Sequence, residues 1–198
     1  MTCQMDFDLE GNVIDYHIYE SVIQSKKRLS YTEVNLRENL GEAEEMIEQM
    51  FALARILNKK RRLEGSIDFD SDESEFVIDN EGNVLDIFKR ETGEGEAMIE
   101  AFMVVTNEVI ATHCKYQSVP VLYRVHEKPQ KDRLQELSHT LRILGYRMRG
   151  SLENIHPKTL QKALKYFENK DEAPVVSRLM LRTMAKARYL KDPVGHFG

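Results

Sequence analysis

An octapeptide that occurs twice limits what this chain can fold into more than any other feature: Asp8-Leu9-Glu10-Gly11-Asn12-Val13-Ile14-Asp15 returns as Asp79-Asn80-Glu81-Gly82-Asn83-Val84-Leu85-Asp86. In both copies a β-rich run enters and leaves a Glu-Gly-Asn centre, where glycine reaches positive φ at little steric cost and asparagine favours tight turns. Each copy is therefore expected to form a β-hairpin, the first from about Thr2 to Ile23 and the second from about Phe76 to Phe88. Two hairpins do not make a solenoid, and no repeat architecture follows from them.

The rest of the chain reads mainly as helix. Thr32 is a plausible N-cap for a short helix over Glu33 to Asn39, and Glu42 to Leu63 reads as a long amphipathic one. Met46, Ile47, Met50, Phe51, Ala54 and Leu57 recur there at spacings of 3 and 4, which puts them on one face. The helix closes on Lys59-Lys60-Arg61-Arg62 and Gly65, where cations and a glycine suit a helix C-terminus. A third helix spans about Glu94 to His113, with Ala97, Met98, Ala101, Phe102, Val105, Val109 and Ile110 along its apolar stripe. Pro120 to His126 reads as a buried strand, followed by helices over about Lys131 to Leu144, Pro157 to Phe167 and Glu172 to Tyr189. Hairpins interleaved with helices, without βαβ alternation, give an α+β class: antiparallel β-hairpins packed with several helices, and a helix-rich second half.

Charge is unevenly placed. Residues 1–114 hold 11 Lys+Arg against 25 Asp+Glu, whereas residues 115–198 hold 17 against 8, so the net charge of −5 conceals a polar molecule. The basic half is either a surface for phosphates or the partner of the acidic half within one fold. No run approaches the roughly 18 apolar residues of a membrane span, and no basic segment leads into an apolar one at the N-terminus, so neither a membrane partner nor export is expected. Cys3 and Cys114 form no CxxC pair, which argues against a disulfide framework or a zinc site and for a reducing cytoplasm.

Few residues nominate chemistry by spacing alone. Asp68, Asp70, Asp72, Glu73 and Glu75 could suit a hard cation, but they lack the register of an EF-hand loop. With Ile67, Phe69 and Phe76 interleaved, they read better as strand and turn with acids facing water. The six histidines form neither HxxxH nor HExxH, and there is no Gly-x-Ser-x-Gly elbow or Walker loop. No metal ligand set is expected within the chain.

Six further segments point beyond "α+β domain". Ser21 to Val34 resembles the part of the ribonuclease R/ribonuclease II catalytic domain where a strand ends in "(R/K)-L-x-Y-x-x-V", and Gly65-Ser66-Ile67-Asp68-Phe69 resembles its "G-A-(I/L)-D-F". Ile99 to Asn107 is similar to its "(I/V)-E-E-F-M-(L/I)-x-A-N" helix, and Tyr123 to Pro129 to its "Y-R-V-H-E-x-P". Leu179 to Met184 resembles "L-x-L-R-(S/T)-M", and Gly195-His196-Phe197-Gly198 resembles "G-H-F-G". All six occur in the family's order.

The resemblance implies a processive hydrolase that removes nucleoside 5′-monophosphates from the 3′ end of single-stranded RNA, using two divalent ions, usually magnesium, held by aspartates. That aspartate cluster normally precedes the region resembling Met1 onward, and an arginine-bearing "S-P-I-R-R-Y" element normally follows the region resembling Gly198. The chain is thus expected to be an incomplete catalytic domain over residues 1–198, inactive alone, binding no magnesium itself and able to self-associate. Three residues are implied as RNA contacts. Tyr31 matches a tyrosine near the active site, Phe69 an aromatic that stacks on the last base, and Glu100 an acid that can accept a hydrogen bond from a ribose 2′-OH. Ala101 stands where the family has a second glutamate. For Arg124, His126 and Arg182 no contact can be assigned from sequence. A non-catalytic RNA-binding or regulatory protein on the same scaffold is the alternative.

Overall fold

The two copies of the octapeptide fold alike. In a computed structural model describing residues 1–67, 74–89 and 92–197, β1 (Thr2–Phe7) pairs antiparallel with β2 (Val13–Tyr19), and β3 (Ser74–Ile78) with β4 (Val84–Lys89). Each pair slips register near its loop, between Asp6 and Phe7 and between Val77 and Ile78. The first hairpin stops at Tyr19, short of Ile23.

The chain divides into two compact units, Met1–Lys60 with Ser71–Ile110, and Arg61–Asp70 with Ala111–Gly198. In the first, α1 (Tyr31–Leu36) starts two residues earlier than the sequence suggests. Its N-cap is Ser30, not Thr32, because Glu33 stands three residues on. Ser30 Oγ accepts from the Glu33 N–H while the Glu33 carboxylate accepts from the Ser30 N–H. The helix ends at Leu36, not Asn39, because Arg37 turns to φ 57° and its N–H closes on Glu33 and Val34 carbonyls. After a 3₁₀ turn at Gly41–Ala43 comes α2 (Glu44–Glu64). Ile47, Phe51, Ala54 and Leu57 are buried as their spacing predicts, while Met46 is 55% exposed at the edge of the stripe. They pack with Val34, Leu40 and, from α3 (Glu94–Tyr116), Met98, Ala101 and Val105, with Met5, Phe7 and Val13 of the first hairpin against them.

The second unit rests on three helices. These are α4 (Lys131–Ile143), α5 (Pro157–Phe167) and α6 (Ala173–Thr183), and α6 contacts both others. Leu134, Leu137, Leu141, Leu160, Phe167, Val176 and Met180 are at most 3% exposed and form its core. Pro157 opens α5 from a His156 N-cap, whose Nδ1 accepts from the Lys158 N–H. Gly65 ends α2 with φ 113°, and Gly65 and Ser66 both donate backbone N–H groups to the Arg61 carbonyl.

Two expectations fail here. The strand read over Pro120 to His126 is only β5 (Tyr123–Val125), with Val125 buried but Leu122 72% exposed. The helix read over Glu172 to Tyr189 stops at Thr183, and Arg188–Leu190 form β6, paired antiparallel with β5. Arg133 Nη1 donates to the Arg182 carbonyl at 2.9 Å, satisfying a last-turn acceptor from another helix and letting the chain leave extended at Met184.

Candidate functional site

Tyr31, the first helical residue of α1, is 45% exposed and is not a strand-end aromatic; no strand covers residues 20–30. Its place is set by the start of α3. There Glu96 accepts from the N–H of Gly93, half a capping box, and the Gly95 N–H is satisfied from α1 by Asn35 Oδ1 at 2.7 Å. Asn35 Nδ2 also donates to Glu96 at 3.0 Å. This borrowed cap needs glycines: a Cβ on Gly93 would lie 2.2 Å from Asn35, and one on Gly95 would meet Asn35, Val34 and Tyr31 at 3.0 to 3.4 Å. The Tyr31 ring is therefore held against the first turn of α3.

Arg37 locks the same junction. Its guanidinium reaches Glu94 at 2.6 Å and Glu48 at 3.2 Å, donates to the Val34 and Asn35 carbonyls, and lies 4.0 Å above the buried Phe51 ring. The paired guanidinium holds the Glu94 carboxyl below its ordinary pKa, and Glu94 in turn raises Arg37. With five donors in a rigid fork, arginine fits this position and lysine does not.

Glu100 is exposed on α3, five residues beyond Gly95. Helical geometry turns it about 140° from Gly95 and carries it about 7.5 Å along the axis, so it projects in a different direction from the Tyr31 contact. Tyr31 and Glu100 thus share one unit without sharing one face of α3. Ala101 is 1% exposed in the core, so the family's second glutamate would here be buried. Phe69 lies outside the described residues, as do Asp68, Asp70, Asp72 and Glu73; Glu75 is exposed on β3.

In the second unit, residues from four segments quoted for the resemblance meet in one place. The His126 N–H donates to the Gly195 carbonyl and the Phe197 N–H to the His126 carbonyl, which lays Gly195-His196-Phe197 along the end of β5. His126 Nδ1 also bonds the Phe197 carbonyl, and the two imidazoles stack at 5.4 Å. An open cleft of about 830 Å³ is rimmed by Arg124, His126, Arg133, Arg182, Lys186 and His196. Ile67, Leu181, Met184 and Phe197 give it an apolar floor. His196 is held below the ordinary imidazole pKa, first by desolvation and then by the neighbouring His126 and Arg124. Sequence reasoning assigned these residues no site because they lie far apart in the chain, from Ile67 to Phe197. The available signal was that Arg124, His126, Arg182 and His196 all fall inside the matched motifs.

Among the described residues no group of three or more His, Cys, Asp or Glu side chains could hold a metal ion, and no helix is long and apolar enough to cross a membrane.

The RNB domain family matches residues 1–198. Ribonuclease R of Aquifex aeolicus is 40% identical over 205 residues, covering 100% of this chain and 29% of that protein. The structure of Mycoplasma genitalium RNase R in complex with ribose methylated single-stranded RNA superposes with a TM-score of 0.92 at 28% identity, over 98% of this chain and 32% of that one. Yeast Ssd1, a pseudonuclease, shares the fold with a TM-score of 0.69 at 18% identity. The chain spans less than a third of the length of each.

Proposed function

The chain belongs to the RNB domain family, and on that premise we propose that it supplies part of the catalytic domain of a longer exoribonuclease that releases nucleoside 5′-monophosphates processively from the 3′ end of single-stranded RNA. The observation that carries this reading is the family match over residues 1–198, together with a fold that superposes on an RNA-bound ribonuclease R. The enzyme uses magnesium in the cytoplasm; the ligands of the ions lie elsewhere in the longer protein, so this chain alone is inactive. Its own contribution is substrate contact. Tyr31 packs against a nucleotide from the α1–α3 junction, Glu100 accepts a hydrogen bond from a ribose 2′-OH, and Phe69 stacks on the terminal base. Exposed Phe76, Ile78 and Ile87 on the second hairpin favour self-association of the isolated chain.

The test uses the whole gene product and the 198-residue chain side by side, with end-labelled single-stranded RNA and magnesium. The whole protein should release mononucleotides from the 3′ end, and the chain alone none. In the whole protein, Glu100→Ala should narrow the preference for RNA over a strand with one 2′-deoxy residue near its 3′ end, by about 1 to 3 kcal/mol in discrimination. Equal loss on both substrates with a lowered melting temperature would return Glu100 to the scaffold. A whole protein that binds RNA without releasing nucleotides would point to the regulatory reading instead.

A further inference from the structure

With six residues, α1 is too short to hold its own orientation, so its contacts with the rest of the first unit decide where Tyr31 points. Val34 is its buried residue, and an apolar contact has no direction, so it sets how deep the helix lies more firmly than how it is rotated. Arg37, just past the helix, reaches Glu48 and Glu94 through a long side chain, and those two acids are 49% and 55% exposed. Ion pairs so open to solvent tolerate movement.

Asn35 is held differently. Its short amide is used at both ends: Oδ1 accepts from the Gly95 N–H at 2.7 Å, and Nδ2 donates to Glu96 Oε2 at 3.0 Å. Reversing the amide would set donor against donor and acceptor against acceptor, so both bonds form in one arrangement of α1 on α3. Gly95 is buried, and its N–H is one of the first-turn donors that a helix cannot satisfy from within. Without the Asn35 carbonyl that donor is stranded, and the loss is recovered only if α1 shifts to admit water. Tyr31 rests on the same turn. Asn35, Val34 and Tyr31 lie 3.0, 3.2 and 3.4 Å from where a Gly95 Cβ would stand, so a shift of α1 carries the Tyr31 ring with it.

We propose that Asn35 is a positioning residue for the Tyr31 contact: its two hydrogen bonds dock α1 on the first turn of α3 and hold the Tyr31 ring where a nucleotide packs against it. Asn35 acts through Tyr31 and not on the nucleotide. This rests on the RNA contact proposed for Tyr31 and adds what aims the ring.

The experiment is a double-mutant cycle in the whole gene product, read as the affinity for a short labelled single-stranded RNA by fluorescence anisotropy, with magnesium left out so that the strand is not cut. Tyr31→Ala should weaken binding about tenfold, as loss of a base–aromatic contact does. Asn35→Ala should weaken it nearly as much, and adding Asn35→Ala to Tyr31→Ala should weaken it no further. A purely structural role predicts otherwise: a lower melting temperature in both backgrounds, with the affinity of the folded protein unchanged. Should Asn35→Ala fail to fold, Gly93→Ala replaces it, because the added Cβ would lie 2.2 Å from Asn35 Nδ2 and push the amide from its seat while every α1 side chain is kept. The same loss, again absent beside Tyr31→Ala, is expected. Unchanged affinity in a folded Asn35→Ala or Gly93→Ala variant, with Tyr31→Ala weakened, would overturn the proposal and leave the Tyr31 contact standing. Losses that multiply in the double variant would also overturn it, since Asn35 would then act elsewhere. Unchanged affinity in Tyr31→Ala would remove the Tyr31 contact itself, and the proposal with it. Nucleotide release by the whole gene product tests the ribonuclease reading separately.

Discussion

The two hairpins have nearly the same loop and opposite fates. In the first, the Asp8 carboxylate accepts from the N–H groups of Glu10 and Asn12 at 3.1 and 2.7 Å and from the Asn12 amide at 2.7 Å. In the second, Asp79 accepts from Glu81, Asn83 and the Asn83 amide at 2.9, 2.8 and 3.0 Å. Gly11 and Gly82 take φ 81° and 89°, and each donates to the aspartate carbonyl at 3.1 Å. Yet Gly11 is buried, with Lys60 Nζ donating to its carbonyl and Met5, Phe7 and Val13 packed on the first unit's core. Every residue of β3 and β4 is exposed. The loop sequence fixes the shape of a hairpin, and packing partners fix how much that hairpin contributes to stability.

The sharpest break between the copies is expected at their glycines. A Cβ on Gly11 would lie 2.9 Å from Ile56 Cγ2, while one on Gly82 meets nothing within 4 Å. Gly11→Ala should therefore combine backbone strain with overpacking and cost about 2 to 4 kcal/mol. Gly82→Ala carries only the strain, about 1 kcal/mol. Urea unfolding of the two variants measures the difference, and equal losses would mean that the first hairpin is not held by α2. A smaller separation is expected for Phe7→Ala, about 2 kcal/mol from a half-buried ring, against about 0.5 kcal/mol or less for Phe76→Ala on the exposed strand. Amide exchange should agree, with β1 and β2 better protected than β3 and β4.

The smallest effect should erase the comparison altogether. Hydrogen bonds from Asn12 lower the Asp8 pKa, and those from Asn83 lower that of Asp79. A carboxyl depressed on folding stabilises above its unfolded pKa of about 3.9, and that stability is lost as pH falls through the folded value. Both loops should loosen over the same acid window, and Asp8→Asn or Asp79→Asn should each remove one share of the dependence. NMR titration of the two carboxyls checks this; a clear gap between them would show that burial, and not the loop alone, sets their ionisation.

Much of the fold was legible because its signals are short-range. The turns need only five consecutive residues, the end of α2 only Arg61, Gly65 and Ser66, and α5 begins and ends where Pro157 and the apolar spacing place it. The start of α1 is local too: Ser30 and Glu33, three residues apart, spell a capping box that places the N-cap at Ser30 and not at Thr32. The loss of helix after Thr183 had no such local sign: residues 184–190 are helix-compatible until β5 offers them a ladder. The RNA contacts proposed for Tyr31 and Glu100 rest on the family resemblance, and the structure adds that Tyr31, on α1, meets the first turn of α3 on a different side from Glu100.

By itself, then, the sequence determined the twin loops, the amphipathic faces of α2 and α3 and the α+β class, because hydrogen bonds within a turn and periodicity along a helix are set by neighbours in the chain. Only the tertiary structure decided which hairpin packs on a core, that Asn35 caps a helix beginning almost sixty residues later, and that Arg124, Arg182, Lys186 and His196 line one cleft. Those outcomes depend on contacts between residues far apart in the chain, whose free energy is gained only when the folded backbone holds them together.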